Sequence, residues 1–227
     1  MQANEYNASF FGITSDGVTD NTKSIQKAID FIHSKRGGTL VFYVGRYLTG
    51  TIQLKPRVNI RLEEGAVIVG VNTPYAYNGS SRSNALFSGE NIADVKLSGK
   101  GVIEGGGSQL VERTNKLLEY GFIQNGSEPG LVAFSNCRNV TIEGIRFWNG
   151  PYKALSFQEC KNVNINDLEI IGNNISSSEG IRIYDCKWLN IKGIYVDVTG
   201  IPLTEKNNQF LIVQESITED GKPIGGK

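Results

Sequence analysis

The chain holds one histidine and three cysteines in 227 residues, and that scarcity removes several chemistries at once. With His33 alone, a Ser-His-Asp or Cys-His relay is remote and no histidine pair can hold a metal. An odd number of cysteines excludes a fully paired disulfide framework. Neither charge is in excess: Lys plus Arg equals Asp plus Glu at 23 each, so neither nucleic acid nor an anionic membrane is expected as a partner. No apolar run approaches the roughly 18 residues of a membrane-spanning helix. The opening "MQANEYNASFFG" lacks a basic region followed by an apolar stretch. No signal peptide is therefore expected, and the chain reads as cytoplasmic or as a mature or recombinant form. Glycine, by contrast, is abundant at 27 residues, which suits a fold with many tight turns.

What is present is a repeat. "GLVAFSNCRNVTIEGIRF", "KALSFQECKNVNINDLEI" and "EGIRIYDCKWLNIKGIYV" align on Cys137, Cys160 and Cys186, which are 23 and 26 residues apart. Before the cysteines stand Val132 and Phe134, Leu155 and Phe157, Ile181 and Ile183. After them come Val140 and Ile142, Val163 and Ile165, Leu189 and Ile191, then Ile145 and Phe147, Leu168 and Ile170, Ile194 and Val196. These apolar residues alternate with polar ones at period two, so each segment reads as half-buried strands. Three short strands per repeat, at a fixed period with identical inward positions, predict a parallel β-helix whose coils stack about 4.8 Å apart. Fainter coils precede, at Val58 and Ile60 and at Val95 and Leu97. A later one, "FLIVQES", is expected to continue the aliphatic and cysteine positions with Leu211, Val213 and Ser216. The fold class is thus all-β: about six or seven coils in one domain, 1–227.

Open solenoid ends need covers. Residues 20–36 supply one as a helix: Asp20 or Asn21 can cap it, Ile25, Ala28, Ile29 and Ile32 share a face, and Gly37 ends it. Residues 105–129 read as an inserted loop with a short helix near Leu110–Tyr120. The tail "ITEDGKPIGGK" is short and glycine-rich, so a second copy or a partner chain is expected against the last coil.

Each conspicuous residue also has a bland reading. The three cysteines occupy inward ladder positions and read as a buried thiol stack, not a zinc set, whose ligands pair closely. No metal and no cofactor are expected. His33, at the end of the helix, reads as solvated. "GKGVIEGGG" is glycine-rich without the ending of a phosphate loop, and reads as a turn and bulge with no following helix of the right kind. Asn139 and Asn162 are expected to stack as a turn ladder, and the sequon Asn78-Gly79-Ser80 carries little weight. The outward positions around the strand before each cysteine differ. They present Lys153, Ser156 and Gln158 on one coil and Glu179, Arg182 and Tyr184 on the next. Guanidinium and ammonium pair with carboxylates and an aromatic ring stacks on a sugar, so Lys153, Arg182, Tyr184 and Gln158 are candidate binders of a sugar acid. The bland alternative is an ordinary charged face on which Lys153 and Glu179 pair.

"FGITSDGVTDNTKSIQKAID", "GGTLVFYVGRYLTGTIQLKPRVNIRLEEGAVIVG", "GKGVIEGGG" and "RNVTIEGIRFWNGPYKALSFQEC" together resemble the polygalacturonase-like glycoside hydrolases, family twenty-eight, over residues 9–200. The resemblance implies a right-handed parallel β-helix, pectin-type acidic polysaccharide or oligosaccharide as partner, and a secreted or periplasmic location. The sequence departs from the family at its catalytic motifs. Ser177-Ser178-Glu179-Gly180 stands at N-T-D-G, which makes Glu179 the candidate catalytic carboxylate. Thr199 and Gly200 match T-G-D-D, but Ile201 and Pro202 replace both aspartates, and the H-G and R-I-K motifs have no counterpart. Inverting hydrolysis needs an acid and a second carboxylate about 6.5–9.5 Å away, so the standard pair is expected to be missing. Asp185, Glu205 or Glu215 could substitute from the coil turns. Three readings therefore stand: a polysaccharide binder without the standard machinery, an active hydrolase or lyase with relocated carboxylates including Glu179, and a structural module assembling through its C-terminal end.

Overall fold

The computed structural model of the chain describes residues 4–77, 84–172, 174–176 and 178–225, so the sequon at Asn78 lies outside them. The period-two segments form three parallel sheets, eight, eight and six strands deep, and successive strands of one sheet come from successive coils. Each coil of the solenoid supplies one strand to each sheet where the repeat is complete. Over the clearest repeats these are Arg138–Glu143, Arg146–Trp148 and Lys153–Gln158, then Lys161–Asn166, Glu169–Gly172 and Glu179–Tyr184. This is a right-handed parallel β-helix. It is deeper than the expected six or seven coils. The extra strands include Glu5–Asn7 and Asp16–Asp20, which are too short and polar to show a ladder.

The registers stack the inward residues vertically. Val132, Leu155, Ile181 and Leu203 form one column, and Ile142, Ile165, Ile191 and Val213 another. Phe134 and Phe157 lie in a third, their rings 5.9 Å apart and 12° from parallel. Cys137, Cys160 and Cys186 form a buried column of free thiols, and among the described residues no metal-binding cluster is present. Beyond Cys186 the column continues with Asn208, not Ser216. The Cys186 N–H donates to Asn208 Oδ1 at 3.0 Å, as the Cys160 N–H donates to Cys186 Sγ at 3.2 Å. Ser216 instead sits one turn further on, where its hydroxyl accepts from the Ile194 N–H. An amide can stand in for the thiol because the position requires an acceptor for the backbone, a demand that apolar spacing does not reveal. Enclosed thiols are poorly reactive, so all three cysteines are expected to resist a thiol-labelling reagent in the native protein and to react after denaturation. Rapid native labelling of any of them would contradict the column.

The first helix, α1 (Thr22–Ser34), covers the N-terminal end with Ile25, Ala28, Ile29 and Ile32, all fully buried. Of the two candidate caps, Asp20 does the capping: its Oδ1 accepts from the Thr22 N–H at 2.9 Å. Asn21 is turned inward, with Oδ1 accepting from the Thr14 N–H at 2.8 Å. Gly37 closes the helix, its N–H donating to the Ile32 carbonyl. A side chain there would fall 2.4 Å from the Arg57 carbonyl oxygen, at a φ of +115°. His33 is half-buried beside the Pro56 carbonyl at 3.1 Å, not simply solvated, because the helix end abuts a turn of the solenoid.

The inserted segment is more ordered than a loop. A second helix, α2 (Gly107–Glu119), begins on the last glycine of "GKGVIEGGG", where a turn and bulge were expected, and buries Leu110, Val111 and Thr114. Gly105 and Gly106 permit this close approach, since Cβ atoms would meet the Asn149 carbonyl oxygen at 2.5 Å and Leu110 Cβ at 2.7 Å. At the C-terminal end the tail covers more than its composition suggests. Ile217 bridges Pro223, the Ile224 N–H donates to the Ser216 carbonyl, and Ile224 joins the core at 8% exposure. The tail thus supplies part of the cover that the sequence reading assigned to a second copy or partner chain. No helix among the described residues is long and apolar enough to cross a membrane.

Candidate functional site

The third sheet carries the candidate residues because its outward side faces the inserted segment. Glu179 opens the strand Glu179–Tyr184, and its N–H donates to the Tyr152 carbonyl at 2.6 Å. The register sets Lys153 beside Glu179, Ser156 beside Arg182, and Gln158 beside Tyr184. Gly180 is required where it stands: a Cβ would lie 2.2 Å from the Pro202 carbonyl oxygen. The Gly180 N–H donates to the Ile201 carbonyl, which fixes the following coil against this strand.

Lys153, Glu179 and Arg182 converge on a groove of about 330 Å³, whose other walls are Glu128, Tyr152, Gly200 and Ile201. Glu179 pairs with Arg182, Oε2 to Nη2 at 2.5 Å, and not with Lys153 as the bland reading supposed. The reason is a break in alternation: Gly180 and Ile181 are both buried, so Glu179 and Arg182, three residues apart on one strand, are both left on the partly exposed side. Arg182 also lies over the Tyr184 ring, 5.9 Å from its centroid. Its Nε is enclosed and has no hydrogen-bond partner among the described residues. Lys153 is half-buried, and burial lowers its pKa, with the Arg182 charge adding to the effect and Glu128 and Glu179 opposing it.

Two predicted residues stay outside the groove. Tyr184 reaches it only through Arg182, and Gln158 lies further along its strand. None of the proposed substitute carboxylates lines it either. Asp185 sits in a left-handed turn and accepts from Asn207 Nδ2 at 3.1 Å; Glu215 pairs with Lys192 at 3.5 Å; Glu205 is exposed on the last coil. The second carboxylate at the groove is Glu128, which the sequence reading missed. Its only signal was membership of the insertion, which the structure anchors beside the site through Tyr152: the Tyr152 hydroxyl lies 2.7 Å from Asn115 Oδ1 on α2. A larger concavity of about 870 Å³ lies on the second sheet around Arg146, Glu169 and Tyr195. It contains none of the candidate residues, so size alone does not make it the site.

The sequence profile of Glycosyl hydrolases family 28 matches residues 42–200. The chain belongs to this family. The profile ends at Gly200, immediately before Ile201 and Pro202. The Arabidopsis thaliana protein named Probable polygalacturonase is 24% identical over 199 residues, 84% of this chain and 42% of that protein. The family chain described here therefore spans less than half the length of that relative. A candidate glycosyl hydrolase of Parabacteroides merdae is 35% identical with a TM-score of 0.92, covering 99% of this chain and 100% of the other. An exopolygalacturonase of Thermotoga maritima has the same fold at 21% identity and a TM-score of 0.81, over 96% of this chain and 61% of the other.

Proposed function

We propose that this family 28 protein binds acidic, pectin-type polysaccharide or oligosaccharide in the groove between Glu128 and Arg182, without the standard inverting acid–base pair. The observation that carries the reading is the pair of cations on neighbouring coils, Lys153 and Arg182, that line one groove. Supporting the loss of the standard pair, the groove wall where the family resemblance calls for aspartate is Ile201, an apolar side chain that cannot move a proton. The location is proposed to be secreted or periplasmic, where such polymers are met.

A second reading rests on Glu128, which together with Glu179 gives the groove two carboxylates from different elements. It would make the protein a hydrolase with a relocated pair. Under the main reading, reducing-end release from polygalacturonate by hydrolysis is absent or barely detectable in both the native protein and Glu179→Gln. Robust hydrolysis that Glu179→Gln abolishes would establish the second reading instead.

A further inference from the structure

A lysine that only anchors carboxylates works best when exposed and fully charged. Lys153 is placed otherwise. It is half-buried where two concavities meet, the groove itself and a smaller cleft against Asn84, Gly130 and Ser156. Glu128 faces it from the inserted segment, Glu179 and Arg182 from the next coil. The adjoining Tyr152 hydroxyl is committed to α2 through Asn115, and its burial raises its pKa, so it holds its proton. Burial and the nearby guanidinium increase the share of Lys153 that is a neutral amine, the form that can accept a proton. Beside it stands the Arg182 guanidinium, which lines the same groove and gives its Nη2 to Glu179, and Ile201 adds an apolar part of the wall. This is a base next to a carboxylate clamp, in a groove where Ile201 stands at the position the family resemblance assigns to an aspartate.

We infer that the groove is arranged for β-elimination on a polymer of 4-linked uronic acid, with Lys153 as the base and Arg182 as the carboxylate clamp. The inference rests on the reading of this groove as a uronate site. The neutral Lys153 amine takes the C5 proton, and the electrons of that C–H bond form a double bond between C4 and C5. The C4–O4 bond breaks, and the departing O4 takes a proton from water. The resulting hydroxide is neutralised when the Lys153 ammonium returns its proton to solvent. As C5 loses its proton, negative charge spreads onto the uronate carboxylate, where the Arg182 guanidinium stabilises it through charge-assisted hydrogen bonds. The route consumes no attacking water and calls for no second carboxylate. It would make Ile201 and Pro202 compatible with catalysis.

The test uses polygalacturonate and its oligomers, with binding followed by calorimetry and cleavage by the ultraviolet absorbance of the unsaturated uronate end. Elimination is expected to rise about tenfold per pH unit on the alkaline-going limb and to level off below the ordinary lysine value of about 10.4. Lys153→Arg keeps the charge but not an accessible neutral form. It should retain binding while losing about 10²–10⁴-fold in elimination, the usual contribution of a general base. A thermal melt of the variant checks that it is folded. Lack of binding by the native protein overturns both this inference and the uronate reading. Binding without any unsaturated product overturns the inference alone, as does release of saturated ends only. Undiminished unsaturated product from Lys153→Arg removes Lys153 from the role of base.

Discussion

Phe157→Ala is expected to lower the unfolding free energy by about 3–5 kcal/mol, near the upper end for a single core truncation. Phe157 is 1% exposed and stacks on Phe134 one coil away, so the substitution removes an aromatic from the middle of a column and leaves a void between fixed neighbours. A parallel β-helix cannot easily collapse around such a void. Each coil is tied to both neighbours at the strand spacing of about 4.8 Å, and its backbone cannot close in without breaking the ladder. Leu155→Ala, in the adjacent column, should cost about 2–5 kcal/mol by the same argument. Equilibrium denaturant melts measure both. A Phe157→Ala loss below about 1 kcal/mol, the scale of a surface change, would contradict the packing described.

Arg182→Ala is expected to weaken binding to polygalacturonate about 10–100-fold, because hydrogen bonds to charged groups contribute about 1.5–3 kcal/mol. The variant also leaves Glu179 facing the groove without its partner, which adds repulsion toward an anionic ligand. Lys153→Ala should weaken binding less, since an ammonium offers no planar fork for a carboxylate. Affinity for the native protein should fall as salt is added, because exposed charges are screened over about 8–10 Å. Glu179→Gln gives the opposite sign. Freed from its ion pair, Arg182 should bind the polymer as well as before or better. Titrations of the three variants at two salt concentrations decide the matter. Equal affinity for native protein and the Arg182→Ala, Lys153→Ala double variant would remove the groove from recognition.

Legibility differed by element, for physical reasons. The columns through Leu155 and Ile165 were readable because an inward strand position admits only apolar side chains, whatever the rest of the chain does. The face of α1 was readable because Ile25, Ala28, Ile29 and Ile32 recur at helical spacing over a core that must be closed. The choice between Asp20 and Asn21 as its cap was not. Both side chains can accept a backbone N–H, and only the nearby Thr14 backbone draws Asn21 inward. The left-handed turn ladder was legible at Asn139 and Asn162, which sit at φ of +54° and +56° and share a 3.0 Å hydrogen bond. Its continuation was not, because Trp188 and Phe210 take the same backbone conformation and stack their rings instead.

By itself the sequence determined the parallel solenoid, its N-terminal cover and the family, since each of these follows from residue type at a fixed position along the chain. It set Lys153 beside Glu179 on adjacent coils, but the break in alternation at Ala154–Leu155 and Gly180–Ile181, which brings Glu179 and Arg182 to one side, appears only in the structure. Which of them pair was decided only by the tertiary structure: Glu179 takes Arg182, and Lys153 is left between Glu128 and the guanidinium. That outcome depends on α2 and the segment after it, which return to the third sheet and carry Glu128 to the groove. The insertion has no repeat to set its register, so its landing place is a matter of packing between distant parts of the chain. Local pattern carries no record of such contacts.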